Sequence, residues 1–142
     1  MIYYSFQNEP FEACIEDIER YLAAHGDEVE DVEVAPKLDA YADAENLFIY
    51  TMRANDDLVG YAAFWVFEHP HHEGRVWAMN DLVYVHPGHR GEMALKYFEF
   101  IDKQLDVCDA ITYTFKVKHD HPELMEHLGY KHTEKVYTKV TK

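Results

Sequence analysis

The sequence has 142 residues, 48% of them apolar and 15% aromatic, which is enough to bury the core of one domain and excludes a disordered chain. It has no run of about 18 apolar residues that would span a bilayer, and its start, Met1-Ile2-Tyr3-Tyr4-Ser5-Phe6, lacks the basic and apolar regions of a secretory signal. The formal net charge of −14 argues against direct binding to nucleic-acid phosphates, which calls for a basic footprint.

Residues 2–6 are aromatic and weakly alternating, and read as a first strand. Asn8 and Pro10 then mark a helix start. Phe11, Cys14, Ile15, Ile18 and Leu22 follow at helical spacing, with Glu12, Glu16, Asp17 and Glu19 on the other side, and Gly26 supplies a stop. Residues 27–35 are an acidic loop and 36–44 a short second helix. Residues 47–52 form a strand, Asn55-Asp56-Asp57 a turn, and 58–67 a second strand of a hairpin. The near-continuous apolar run of that second strand predicts burial on both faces. A polar, histidine-rich loop at 68–75 leads into a strand over 76–85, interrupted by Asn80 and Asp81. His86-Pro87-Gly88-His89-Arg90-Gly91 is a tight loop, and Met93, Tyr97, Phe100, Ile101 and Leu105 mark the amphipathic helix after it. A strand over 111–117, a short helix over 122–128 ended by Gly129, and a last strand over 136–140 complete the order β-α-α-β-β-β-α-β-α-β. The strand–loop–helix–strand passage is a βαβ unit, and we expect one α/β domain over residues 1–142.

The charge is uneven. Residues 1–57 hold 15 acids and 3 bases, a net of −12; the remaining 85 hold 12 acids and 10 bases, a net of −2. The acidic half is either a solvated face or an attractor for a cationic partner. Neither Cys14 nor Cys108 has metal-type spacing, Cys14 lies on an apolar helical face as a buried thiol, and a reducing, cytoplasmic setting fits.

The most informative segment runs from Asn80 to Met93. A strand delivers the chain to a loop that opens a helix, whose first N–H groups are unpaired and whose dipole favours negative charge. Such a junction suits a phosphate, and Arg90 can add a charge-assisted bond. Val85-His86-Pro87-Gly88-His89-Arg90-Gly91 resembles the acetyl-CoA loop of the GNAT N-acetyltransferases. Leu58-Val59-Gly60-Tyr61-Ala62 is similar to their Leu-Val-Gly-Phe/Tyr strand, and Glu126-His127-Leu128-Gly129-Tyr130 to their Leu-Gly-Phe/Tyr ending. More narrowly, the chain resembles small GNAT proteins of tailed bacteriophages, which carry counterparts of Asp39-Ala40-Tyr41, His69-Pro70-His71-His72, Asn80-Asp81, His119 and Val136-Tyr137-Thr138-Lys139.

The resemblance implies a mixed central sheet with helices on both faces and a splay between the fourth and fifth strands. It implies acetyl-CoA as cofactor, held by Leu82, Val83, Tyr84, Val85, His89, Arg90, Gly91, Glu92, Met93 and Ala94, with the pyrophosphate on the amides around Arg90 to Ala94. It implies acetyl transfer to a primary amine, either a small cationic amine or a protein lysine, and a possible homodimer. Two departures stand out. Glu92 and Met93 occupy positions where the family has glycine or a small residue, and Met125 stands where many members have a tyrosine acid. These favour a rival reading, a GNAT-fold protein without chemistry that binds or inhibits a host enzyme.

An amine must lose a proton before it attacks. Asp81 is a candidate base as a half-buried carboxylate, or else a hydrogen-bonded bulge residue. His119 suits proton transfer, or is a surface histidine beside Asp120. Tyr137 is a candidate acid, or strand packing. His69 and His71, with His72, line an acceptor pocket together with Asn80, or form a polar turn. With Asp81 the histidines could supply enough ligands for zinc, but no spacing matches a zinc template and we expect no metal. Trp65 and Trp77 read as strand burial, with contact to a ligand as the alternative.

Overall fold

A computed structural model of the chain describes residues 1–25, 38–115 and 120–141. Its elements are β1 (Tyr4–Asn8), a 3-10 turn (Phe11–Ala13), α1 (Ile15–His25), α2 (Leu38–Ala42), β2 (Leu47–Ala54), β3 (Asp57–Glu68), β4 (Val76–Val85), a second 3-10 turn (Pro87–His89), α3 (Glu92–Gln104), β5 (Ala110–Thr112) and α4 (Pro122–His127). The Gly26 stop, the acidic loop, the first two residues of the second predicted helix, the end of the fifth predicted strand and His119 lie outside the described residues. Among the described residues, no helix is long and apolar enough to cross a membrane.

The strands form one open sheet in the order β1-β2-β3-β4-β5. The first three pairings are antiparallel and β4 with β5 is parallel, as the crossover through α3 requires. The β2–β3 hairpin turns at Asn55 and Asp56, whose φ angles of 50° and 72° make the primed turn that follows strand twist.

Helices cover both faces. On one face Ala94, Tyr97, Phe98, Ile101 and Leu105 of α3 pack on Tyr50, Met52, Ala62 and Phe64. On the other, Phe11, Cys14, Ile18 and Tyr21 pack on Ile49, Leu58, Tyr61 and Ala63. The pleat sends alternate β3 residues into the two clusters, which is why that strand is apolar throughout. Burial keeps the Cys14 thiol inert, its pKa pushed up to about 12.

Element edges differ from expectation where tertiary pairing decides them. β1 is shifted to Tyr4–Asn8 because its partners are Ala54 back to Tyr50; Ile2 and Tyr3 are exposed. The first helix is broken at Cys14 (φ −137°, ψ 18°), so a 3-10 turn precedes α1. The expected strand over 136–140 is absent. Residues 131–141 carry no regular structure, and Val136 and Tyr137 are 71% and 87% exposed. Their β-branched composition favours a strand, but composition does not supply a ladder partner.

Candidate functional site

The site is built around a defect in β4. Ala63 pairs with Leu82 and Phe64 with Asn80, so Asp81 is left over as a bulge. On the outer side, β4 pairs with β5 only at Trp77, Ala78 and Met79. There the ladder stops and a side chain continues it. Asn80 Nδ2 donates to the Thr114 carbonyl at 3.1 Å, and the Thr114 N–H donates to Asn80 Oδ1 at 2.7 Å. The Asn80 amide thus stands in for a stretch of backbone, with one donor and one acceptor direction taken by Thr114. No further β4–β5 pair forms among the described residues. Leu82 and Tyr84 pack toward α1, and Val83 and Val85 toward α3. What these four residues present at the edge is therefore backbone.

The bulge also re-aims Asp81. Regular alternation would place Asp81 and Leu82 on opposite faces; here both lie on the α1–α2 side. Asp81 Oδ2 accepts from the Tyr41 hydroxyl at 2.8 Å, and Oδ1 accepts from Trp65 Nε1 at 3.2 Å. The expectation of a half-buried carboxylate is not met: Asp81 is exposed, because the bulge throws it clear of the sheet. The alternative, a hydrogen-bonded bulge residue, is what forms. The meeting of Tyr41 and Trp65 at Asp81 is not legible in the sequence. Tyr41 sits on a five-residue helix and Trp65 two positions past the bulge pairing, and only the folded register brings them to one carboxylate.

At its far end β4 enters the loop before α3. The His86 N–H donates to the Val59 carbonyl at 2.7 Å, and His86 Nδ1 accepts from the Gly88 N–H at 3.1 Å. His89 is pinned to β1, its Nδ1 2.9 Å from the Tyr4 hydroxyl. Arg90 folds back so that Nε donates to the Val85 carbonyl at 2.9 Å. Gly91 is the N-cap of α3 at φ 100°, ψ −134°, a conformation open in practice to glycine alone. No side chain caps the helix, and its first bond is from the Leu95 N–H to the Gly91 carbonyl at 3.0 Å. The N–H groups of Glu92, Met93 and Ala94 therefore have no intrahelical acceptor. Neither unusual side chain covers them. The Glu92 carboxylate turns down the helix to Lys96 Nζ at 3.6 Å, and Met93 packs against the α3-side core.

The other candidates do not gather here. His69, His71 and His72 occupy the hairpin before β4, five or more residues from Asp81, or about 17 Å along a strand. They stack among themselves and on Trp77: His72 lies 5.0 Å from that indole at 9°, and His69 4.7 Å from it. Desolvation lowers the His69 pKa, with His71 and His72 adding to it. His69 and His71 thus form part of a stacked polar turn around Trp77, at the opposite end of β4 from the loop at 86–91. Among the described residues no three His, Cys, Asp or Glu side chains converge on a metal position. Tyr137 lies exposed on the strandless segment, so the packing that would carry it to a leaving group is missing. Met125 packs into the α3-side core, and Tyr130 gives its hydroxyl to Asp102.

No protein-family model and no curated protein sequence matches the chain. Solved structures do. A transcriptional regulator from Bacillus halodurans C-125 superposes with a TM-score of 0.75 at 16% identity, over 98% of this chain and 100% of that one. Ribosomal-protein-alanine N-acetyltransferase from Brucella melitensis biovar Abortus 2308 gives 0.69 at 18%, over 97% and 99%. AAC(6')-Iy, in complex with the bisubstrate analogue CoA-S-monomethyl-acetylneamine, gives 0.69 at 14%, over 99% of each chain. At such identities the likeness is one of architecture, and the chain has the fold of the GNAT acetyltransferases.

Proposed function

We propose that the protein is an acyl-CoA-dependent N-acyltransferase acting on a primary amine. The observation that carries this reading is the junction at which β4, past the Asp81 bulge, leads through a loop into the uncapped N-terminus of α3. Asp81 and His86 are five residue steps apart along the strand, about 17 Å, a distance on the scale of an extended pantetheine arm. The residues fit the group. The Glu92, Met93 and Ala94 N–H groups and the dipole of a 13-residue helix suit a pyrophosphate, and a Cβ at Gly91 would meet nothing within 4 Å, so the approach is open. The Arg90 guanidinium is tethered through Nε and keeps its terminal nitrogens for a phosphate oxygen. An amide-containing arm would run along the stretch of β4 from Leu82 to Val85.

Acetyl-CoA supplies an acyl group on a thioester, from which an amine nitrogen displaces the thiol. The amine must arrive as a neutral nucleophile, and the exposed carboxylate of Asp81, in contact with water, gives its proton a route out. In the AAC(6')-Iy structure the bound analogue joins CoA to an aminoglycoside fragment, which supports the same pairing of cofactor and amine here. A cytoplasmic setting and a phage origin, in which the amine belongs to an infected host, are part of the same proposal. The rival reading, a binding protein without turnover, rests on Met125, which offers no proton where many relatives have tyrosine.

Calorimetric titration with acetyl-CoA and with CoA tests the reading. We expect micromolar binding, weakened about tenfold by Arg90→Ala. Absence of binding at millimolar cofactor would move the assignment to the binding protein.

A further inference from the structure

We propose that His69 is an acid-released latch on the β3–β4 turn: its neutral ring holds the turn closed over Trp77, and its protonated ring lets the turn go. The inference is independent of the acyl-transfer reading and holds equally for a binding protein.

The turn at residues 69–75 is tied by backbone bonds and by one ring nitrogen. The His69 N–H donates to the Arg75 carbonyl at 3.0 Å, the His72 N–H to the His69 carbonyl at 2.9 Å, and the Arg75 N–H to the His72 carbonyl at 3.0 Å. The His71 N–H donates to His69 Nδ1 at 3.1 Å. A backbone N–H can only donate, so Nδ1 must keep its lone pair and the proton of the neutral ring sits on Nε2. Protonation places a second N–H on Nδ1, facing that of His71. The bond is then lost and two donors oppose each other.

The surrounding rings favour the same neutral state. His69 is partly buried, its centroid 5.1 Å from those of His71 and His72 and 4.7 Å from Trp77. A charge there loses water and meets two neighbours that gain charge in acid. Desolvation first, then His71 and His72, lower the His69 pKa from 6.5, and Glu134, in the segment after α4, acts the other way. The other charged groups of the turn are turned elsewhere or exposed. Glu68 Oε1 accepts from the Gly74 N–H at 2.6 Å, the Arg75 guanidinium donates to Asp109 at 3.1 Å, and Glu73 is exposed.

The three histidines are not equivalent. His72 lies flat on Trp77, 5.0 Å away at 9°. An indole face attracts a cation, so a charge on His72 alone keeps the stack. His69 is the ring that closes the turn. Its release bears on the sheet, because Trp77 pairs with Ala110 where the parallel β4–β5 ladder begins, and the preceding Val76 N–H donates to Asp109 Oδ2 at 2.7 Å. A histidine whose folded pKa is lowered adds stability that is complete above its unfolded value and lost as pH falls through the folded one. The turn is therefore closed at neutral pH and opens below 6.5.

Nitrogen NMR of the full chain from about pH 8 to about pH 5 reads the latch directly. An unprotonated Nδ1 on His69 at the upper end, a midpoint below 6.5, and a parallel movement of the His71 amide resonance are expected. Trp77 emission, isolated by Trp65→Phe, should change with the same midpoint. His69→Asn supplies a side-chain oxygen that accepts from the His71 N–H and does not titrate, and it should remove the pH response of both the amide and Trp77. His72→Gln should leave the amide response in place. A proton on Nδ1 at about pH 8, a His69 midpoint at or above 6.5, a response of unchanged size in His69→Asn, or its loss in His72→Gln would overturn the proposal. Should a variant fail to fold, the nitrogen titration of the unaltered chain decides.

Discussion

Gly91→Ala isolates the backbone contribution to the anion loop. Gly91 caps α3 at φ 100°, ψ −134°, and a Cβ added there would meet no atom within 4 Å. Steric overlap therefore contributes nothing, and the whole cost is torsional, about 1–3 kcal/mol for a non-glycine residue held in a sparsely populated region. For a chain of this length each kcal/mol lowers Tm by about 3 °C, so a fall of about 3–9 °C is expected if the loop keeps its shape. If it relaxes instead, the stability loss shrinks, but the Glu92, Met93 and Ala94 N–H groups no longer point to one place and acetyl-CoA affinity falls. Thermal unfolding and calorimetry on the same samples separate the two, and at least one must move. Gly74→Ala is the control. It sits at φ 77° with equally open space, on the hairpin at the other end of β4, and should cost about 1–2 kcal/mol with no change in cofactor affinity. Gly91→Ala with Tm within 1 °C and unaltered affinity would refute both the strain and the cradle.

Two further outcomes follow from the same geometry. Asn80→Ala removes two hydrogen bonds to the Thr114 backbone and should destabilise by about 1–3 kcal/mol, with faster amide exchange at Thr114; a variant that instead raises KM for the amine at unchanged stability would place Asn80 in substrate binding. Burial raises the Glu9 pKa, but the Arg53 and Thr51 hydrogen bonds and the Arg53 charge outweigh it, and the net shift is down from 4.5. A carboxylate with a depressed folded pKa adds stability that is complete above the unfolded value and lost as pH falls through the folded one. Arg53→Ala should thus cost about 1–3 kcal/mol at neutral pH and flatten the acid limb of the stability curve below pH 4.5; an unchanged acid limb would show that Glu9 is not its source.

Much of the architecture is written locally. The near-continuous apolar run of residues 58–67 predicts a strand buried on both faces, and Leu58 to Phe64 are buried. Asn55-Asp56, two residues that tolerate positive φ, announced the hairpin turn. Glycine at the mouth of an amphipathic helix, after a strand and a proline-containing loop, predicts a strand–loop–helix junction, and Arg90-Gly91 fall where that pattern puts them. Such features depend on the chain's own torsions and on the pleat, which neighbouring residues determine.

What the sequence could not contain is the register of distant segments. One extra residue at Asp81 reverses which face its side chain takes, and that slip exists only in the pairing of β4 with β3. The convergence of Tyr41 and Trp65 on Asp81 spans 40 and 16 residues of sequence, and no period links them. The same limit explains the differences. The histidines looked close to Asp81 because they precede it in sequence, but a strand rises about 3.3 Å per residue, which carries them to the other end of the sheet. The last predicted strand had the right residues and lacked a partner. By itself the sequence determined most of the elements and the strand–loop–helix junction at Arg90-Gly91, because those rest on local backbone preference and on burial periodicity. The tertiary structure alone decided where the ladders slip and stop, and hence which side chains meet, because hydrogen-bond register is a property of two strands together.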